Sequence, residues 1–211
     1  VSFSDAETMK RMFGVERVTV SPTGVDGEYF QRRQHHPTCY DLCFIGSMDW
    51  LPNADAILHF YRDVLPLIRQ RIPQCSLAVV GRNPTPEISR LAAERGITVT
   101  GTVADVRPYL WSSRVSIVPL RIGGGTRLKI YEAMAAGTPV VSTSIGAEGL
   151  AVAHPETIRL ADSPEAFAEQ CVRLIENHAE RERLATAAAA LVLSRFSWDT
   201  VSRDFANLVF G

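Results

Sequence analysis

Apolar runs of strand length recur along this chain, each followed by a turn signal and then by a stretch whose apolar positions repeat with helical period. The pattern predicts strands at Tyr40 to Gly46, Ser76 to Gly81, Ile97 to Thr100, Val115 to Pro119, Pro139 to Ser142 and Thr157 to Leu160. The run Cys75-Ser76-Leu77-Ala78-Val79-Val80-Gly81 is nearly all apolar or small, as expected of a parallel strand covered on both faces. Between the first two strands, Ile57, Phe60, Tyr61, Val64 and Ile68 form one stripe of helical period, which predicts a single helix from about Asn53 to Gln70. From Pro164 onward the chain reads as helical, with an alanine-rich amphipathic stretch from His178 to Arg195 and a last helix from about Trp198 to Val209.

Strand and helix alternate through most of the chain. That order predicts one α/β domain, a Rossmann-like doubly wound parallel sheet, and such sheets bind ligands beyond the carboxyl ends of their strands. Function is therefore sought in the loops that follow strands. Three of these carry glycine: Gly46-Ser47-Met48, Gly81-Arg82-Asn83 and Gly101-Thr102-Val103.

Composition narrows the function classes. The chain has 211 residues, 46% of them hydrophobic, enough for a substantial core. Its 22 basic and 23 acidic side chains leave a formal net charge of -1, so no overall field gathers nucleic acid or an anionic membrane, and any anion site must be local. No apolar run approaches the roughly 18 residues of a membrane span. The start, Val1-Ser2-Phe3-Ser4-Asp5, has neither the basic nor the apolar region of a signal peptide, so a cytoplasmic protein is expected. Cys39, Cys43, Cys75 and Cys171 lack the paired spacing of a disulfide framework and are expected to be reduced, mostly buried thiols. The cluster His35-His36-x-x-Cys39-x-x-x-Cys43 suggests a metal, but on a strand Cys39 and Cys43 stand about 13 Å apart. One tetrahedral zinc cannot take both, and no metal is expected.

The segment Pro119-Leu120-Arg121-Ile122-Gly123-Gly124-Gly125-Thr126-Arg127-Leu128-Lys129-Ile130-Tyr131-Glu132-Ala133-Met134-Ala135-Ala136-Gly137 carries the most chemistry. A strand ends at Pro119, three glycines follow, and a helix is expected from near Thr126 to about Ala136, closed by Gly137. Glycines let backbone N–H groups approach a ligand, and the helix N-terminus adds its partial positive charge. Arg127 and Lys129 place full positive charges where the helix dipole disfavours them, which a bound diphosphate would explain. On the other reading the glycines make a plain tight turn and the two cations are solvated. The segment is not a P-loop, because no Gly-Lys-Ser/Thr follows, and it is not a dinucleotide fingerprint, because Leu128 stands where a third glycine is needed.

Glu132-Ala133-Met134-Ala135-Ala136-Gly137-Thr138-Pro139-Val140-Val141-Ser142 resembles the Glu-Ala-Met-Ala-x-Gly-x-Pro-Val-Val core of the retaining GT-B glycosyltransferases, the group 1 enzymes. The resemblance extends over nearly the whole chain. Pro22-Thr23-Gly24-Val25-Asp26 is similar to the family's Pro-Asn-Gly-Val-Asp, where the donor domain begins, and Phe196-Ser197-Trp198 to the start of its final helix. Phe44-Ile45-Gly46, Val79-Val80-Gly81 and Val99-Thr100-Gly101-Thr102-Val103 resemble its successive strand-loop signatures. Gly-Gly-Gly-Thr-Arg-Leu-Lys together with Met48-Asp49-Trp50-Leu51-Pro52-Asn53 is similar to a subgroup associated with exopolysaccharide and cell-surface glycan synthesis.

The resemblance implies that residues 1–211 are the half of the enzyme that binds a nucleoside-diphosphate sugar, and that an N-terminal acceptor domain is missing. Any contact with a membrane surface would come through that domain. The implied donor site comprises Gly46, Ser47, Gly81, Arg82, Val103, Gly123, Gly124, Gly125, Thr126, Arg127, Lys129 and Glu132. Glu132 matches the second glutamate of the family's Glu-x7-Glu motif and would accept the ribose hydroxyls; as a plain helix residue it would face water. Gly124 stands where the first glutamate is usual, and Ser47, Met48 and Asp49 replace the common basic pair after the first strand, with Arg127 and Lys129 as substitutes. Gly81, Arg82 and the backbone near Val103 would line the base pocket, although Arg82 reads equally well as a surface arginine.

The resemblance implies neither a required metal nor a cofactor, and no protein nucleophile is assigned. An epimerase would share the diphosphate site but needs acid and base groups at the sugar, and no histidine or paired carboxylate lies in the glycine loop. A receiver-like or other non-catalytic nucleotide-binding module is the second alternative; a receiver needs clustered aspartates after the first strand, where Gly46-Ser47 stands.

Overall fold

Six strands occupy the apolar runs: β1 (Tyr40–Ile45), β2 (Leu77–Val80), β3 (Ile97–Val99), β4 (Ser113–Val118), β5 (Val140–Ser142) and β6 (Arg159–Leu160). The structure is a computed structural model that describes residues 3–32 and 36–210; Val1, Ser2 and His35, for which the sequence raised expectations, lie outside the described residues. All strand pairs are parallel, in the order β3-β2-β1-β4-β5-β6. Successive residues of a strand point to opposite faces, and all four residues of β2 are buried, so helices cover the sheet on both sides. From β1 the chain builds outward to β2 and β3, then crosses to β4 and continues through β5 to β6. Loops leaving β1 and β4 therefore diverge, and the crevice between them is where this fold accepts ligands.

Ten α-helices are described: α1 (Phe3–Phe13), α2 (Gly27–Phe30), α3 (Leu51–His59), α4 (Leu65–Arg71), α5 (Pro86–Arg90), α6 (Arg107–Trp111), α7 (Leu128–Ala135), α8 (Pro164–Glu176), α9 (His178–Arg195) and α10 (Trp198–Phe210). The single helix expected over 53–70 is divided by a π-helical turn, Phe60–Val64, at which the Leu65 N–H bonds back to the Phe60 carbonyl. The cause is Pro66: it has no N–H to give to the helix and its ring crowds the preceding turn, which widens to accommodate it.

Helix α7 starts at Leu128, two residues later than the spacing predicts, because Arg127 takes a non-helical φ of -90° and ψ of 79° as the N-cap. It ends as expected. Gly137, at φ 72°, donates to the Met134 carbonyl at 3.0 Å, and Thr138 donates to the Ala133 carbonyl at 2.9 Å. These paired bonds satisfy the last carbonyls of the helix.

The segment leading into α2 meets the junction of α9 and α10. Val25 N–H donates to the Phe196 carbonyl at 2.8 Å, and Trp198 N–H donates to the Val25 carbonyl at 3.2 Å. A Cβ on Gly24 would stand 2.8 Å from the Trp198 ring, so this motif glycine is where the first segment passes under the last helix. Cys43, Cys75 and Cys171 are buried free thiols and Cys39 is an exposed one. Burial pushes Cys43 up to about 11 and Cys75 up to about 12. Among the described residues no helix is long and apolar enough to cross a membrane.

Candidate functional site

Parallel pairing places the loops after β1, β2, β4 and β5 at one end of the sheet. The first two are laced together. Gly46 N–H donates to the Val80 carbonyl at 3.0 Å and Met48 N–H to the Arg82 carbonyl at 2.9 Å. Ser47 Oγ donates to Asp49 at 2.6 Å, accepts from Arg82 Nε at 2.7 Å, and Asn83 Nδ2 donates to the other Asp49 oxygen at 2.8 Å. Hydrogen bonds from Ser47 and Asn83 hold the Asp49 carboxyl below the usual carboxylate range. Asp49 thus serves the loop itself, and it accounts for how Ser47 and Arg82 are brought together. Val103 lies beyond β3, half-buried against the core, two strands away from β1.

After β4 the chain runs through buried Leu120 into the glycine loop, where Gly123 and Gly125 take φ of 119° and 84°. Both angles lie in the region that favours glycine. Among the described residues, no backbone carbonyl accepts from the N–H groups of Gly123, Gly124, Gly125 or Thr126. Nothing lies within 4 Å of a Cβ placed on Gly124, so the loop is open at that residue, whereas a Cβ on Gly123 would stand 2.7 Å from Arg127 Nη2.

Arg127 stands just before the helix as its N-cap and not in the first helical turn, where the spacing places it. It is only 5% exposed, and its Nη1 donates to the carbonyls of Gly124 and Gly125. Among the described residues its Nε and Nη2 have no hydrogen-bond partner, and its guanidinium lies 5.5 Å from the centre of the Trp50 ring. Burial holds this guanidinium below the usual arginine range, with Glu148 acting in the opposite sense. Arg127 braces the loop from within, because the N-cap backbone angles turn its side chain back over the glycines.

Lys129 and Glu132 sit on α7, three residues and nearly one turn apart. Lys129 Nζ donates to Asn53 Oδ1 at 2.8 Å and lies 4.5 Å from the centre of the Phe44 ring. Burial, then the neighbouring Arg127 charge, push the Lys129 ammonium down to about 7, while Glu132 pulls it upward. A Cβ on Gly46 would stand 2.8 Å from that ammonium, so the loop after β1 and the helix after β4 meet at this point. Burial raises the half-buried Glu132 carboxyl above the usual range and Lys129 lowers it. The Glu132 side chain accepts no hydrogen bond among the described residues.

The structure thus gathers Gly46, Ser47, Arg82, the glycine loop, Arg127 and Lys129 around the crevice between β1 and β4. It adds two groups that the sequence reading did not select. Asn53, 3% exposed, donates from Nδ2 to the Ser47 carbonyl at 2.9 Å and accepts from Lys129 through Oδ1. Thr143, after β5, donates through Oγ1 to the Leu120 carbonyl and accepts from the Gly146 N–H at 2.9 Å, which fixes the turn beside the glycine loop. The only signal for Asn53 was its place in the Met48–Asn53 run; Thr143 stood at a strand end with no distinguishing neighbour. Among the described residues, no group of three or more His, Cys, Asp or Glu side chains is placed to hold a metal ion.

Residues 39–177 match the family model described as glycosyl transferases group 1. The chain is 30% identical over 203 residues to the phosphatidyl-myo-inositol mannosyltransferase of Mycobacterium tuberculosis, covering 89% of this chain and 52% of that protein. It therefore spans about half the length of this relative. The fold matches TarM of S. aureus, solved as a variant in complex with fondaparinux, alpha-GlcNAc-glycerol and UDP, with a TM-score of 0.81 and 15% identity over 100% of this chain and 43% of that one. It also matches the C-terminal domain of a glycosyl transferase group 1 family protein (LpcC) from Francisella tularensis, with a TM-score of 0.68 and 18% identity over 83% of this chain and 100% of that domain. The sheet order, the glycine loop at its switch point and the matched span agree: the chain belongs to the glycosyl transferases group 1 family.

Proposed function

We propose that this chain is the donor-binding half of a glycosyltransferase and holds a nucleoside-diphosphate sugar in the crevice between β1 and β4. The observation that carries the reading is a partly buried ammonium, Lys129, whose hydrogen-bond partner is a neutral amide, beside a glycine loop with unpaired amides. A buried cation without a bound carboxylate is costly unless an anion completes it. The amides of Gly123, Gly124, Gly125 and Thr126 and the Lys129 charge suit a diphosphate. Glu132, which accepts no hydrogen bond among the described residues, would accept ribose hydroxyls from the same helix, and the base would lie toward Gly81, Arg82 and Val103.

In transfer, the bond between the sugar and the diphosphate breaks while negative charge grows on the departing phosphate. Preoriented amides and a cation at that phosphate lower the barrier directly. The acceptor and the remainder of the cleft would come from a second domain, and the resemblance favours retention and a role in exopolysaccharide or cell-surface glycan synthesis.

The test is calorimetric titration of the chain with UDP, GDP and ADP, with and without a chelator, followed by assay of sugar transfer. The expected result is chelator-insensitive binding of one or more nucleoside diphosphates without turnover by these residues alone. Absence of binding to all three overturns the donor-site reading.

A further inference from the structure

Of its 22 basic residues this chain has only two lysines, Lys10 and Lys129; the rest are arginines. Lys10 is on the surface of α1 beside Glu7. The crevice between β1 and β4 therefore holds a lysine in a chain that otherwise uses arginine almost throughout. The two cations differ in one respect that matters in a buried place: a guanidinium stays charged, whereas an ammonium gives up its proton when burial demands it.

The surroundings of Lys129 make that demand. Its own helix contributes Glu132, which favours the charge, and the glycine loop contributes Arg127, which opposes it. The loop after β1 contributes the Asp49 carboxylate, but this is bound by Ser47 and Asn83. Helix α3 contributes Asp55, paired with Arg121 at 2.6 Å, and Asn53, which is neutral. Strand β1 offers the Phe44 ring. Among the described residues, the one group that hydrogen-bonds the ammonium is thus the Asn53 amide. That amide is fixed from its other end by the Ser47 carbonyl at 2.9 Å and is confined by Gly46, whose Cβ would stand 2.6 Å from Asn53 Nδ2.

We propose that Asn53 is a positioning residue of the anion site, one that aims Lys129 across the crevice while leaving its charge for the bound diphosphate to neutralise. The inference rests on the donor-site reading above. An aspartate at this position would supply the counter-charge from the protein and keep Lys129 protonated with or without ligand. The neutral amide instead leaves the free amine titrating at about 7. A diphosphate then draws a proton from solvent onto Lys129 as it binds, while a nucleoside draws none.

The experiment uses the two lysine side chains as their own reporters. Lysine-labelled chain gives two ε-methylene NMR signals, and the titration of the Lys129 signal is followed in the parent, in Asn53→Asp and in Asn53→Ala, with folding checked by circular dichroism. In the parent Lys129 is expected to titrate at about 7, in Asn53→Asp toward the ordinary lysine range, and in Asn53→Ala lower than in the parent. A purely structural role for Asn53 would not move the titration in opposite directions. At about pH 8, where the terminal phosphate has already lost its proton, calorimetry in two buffers of different ionisation enthalpy should show net proton uptake on binding of UDP or GDP by the parent and almost none by Asn53→Asp. Asn53→Asp should bind the diphosphate about 10-fold more weakly, with uridine and guanosine unaffected. An unmoved Lys129 titration in both folded variants, or binding by the parent without proton uptake, overturns the inference alone. Failure of UDP, GDP and ADP alike to bind overturns the donor-site reading and this inference with it.

Discussion

Gly46 and Gly81 meet backbone to backbone: a Cβ on Gly81 would stand 1.8 Å from the Gly46 carbonyl oxygen. Gly81 also has φ of 148°, an angle that side chains rarely adopt. The ends of β1 and β2 can close on each other only without side chains, and this contact holds the loop after β1 beneath Lys129. Gly81→Ala has no flexible neighbour to displace and should destabilise the fold by about 3 kcal/mol. Gly124→Ala, with nothing near its Cβ and no positive φ, should stay within about 0.5 kcal/mol of the parent. Chemical denaturation of the two variants checks the contrast; equal stabilities would contradict the close approach.

Lys129 should weigh on the ligand-free fold. In the unfolded chain a lysine keeps its proton to about pH 10.4, whereas in the fold Lys129 releases it at about 7. Between those values the unfolded state binds more protons, so the contribution of Lys129 to stability rises with pH across that window; below about pH 7 both states are protonated and the full penalty applies. Lys129→Met should therefore stabilise the free chain by about 1 kcal/mol at pH 6 and flatten the pH dependence between 7 and 10. Urea melts of parent and variant across that range decide the matter. An undiminished slope in the variant would place the titration elsewhere.

The strands were legible because a strand covered on both faces reads as an unbroken apolar run, as Leu77 to Val80 does. The glycine loop was legible for a local reason too: three glycines between a strand end and a helix leave few other uses. Contacts that depend on chain segments far apart were not. Asn53 reads as one more polar helix residue until Lys129, 76 positions on, is seen to bond it. The start of α7 was misplaced because the glycine loop followed by Thr126 puts Arg127 in the first helical turn, whereas its actual backbone angles make it the N-cap and its side chain bonds the carbonyls of Gly124 and Gly125. The π-helical turn has a visible cause in Pro66, but the apolar stripe continues through it and masks the break.

Arg127 braces the glycine loop, so Arg127→Ala should act by loosening it. Diphosphate affinity is expected to fall by roughly 1 to 2 kcal/mol, the scale of hydrogen bonds to a charged group, with faster amide exchange over residues 123–126. Hydrogen exchange with and without UDP or GDP measures this directly. Weakened binding with unchanged exchange would return Arg127 to the role of a direct phosphate ligand.

Glu132 should act on the sugar of the nucleoside. Glu132→Gln is expected to weaken binding of UDP or GDP and of the matching nucleoside alike, by about 1 to 3 kcal/mol, because the ribose is common to both. The corresponding 2′-deoxynucleotide should lose less on this substitution than the ribonucleotide does. Unchanged affinity in a correctly folded variant would remove Glu132 from the site.

If the phosphates sit at the glycine loop against Lys129, a comparison of UDP with uridine, and of GDP with guanosine, in the parent and in Lys129→Ala, at low and raised salt, will show it. The expected result is a loss of about 10-fold or more in diphosphate affinity with no change for the nucleoside, and a parent preference for the diphosphate that shrinks as salt is added. If Lys129→Ala binds the diphosphate as tightly as the parent does, the phosphates lie elsewhere and the donor site is not the crevice between β1 and β4.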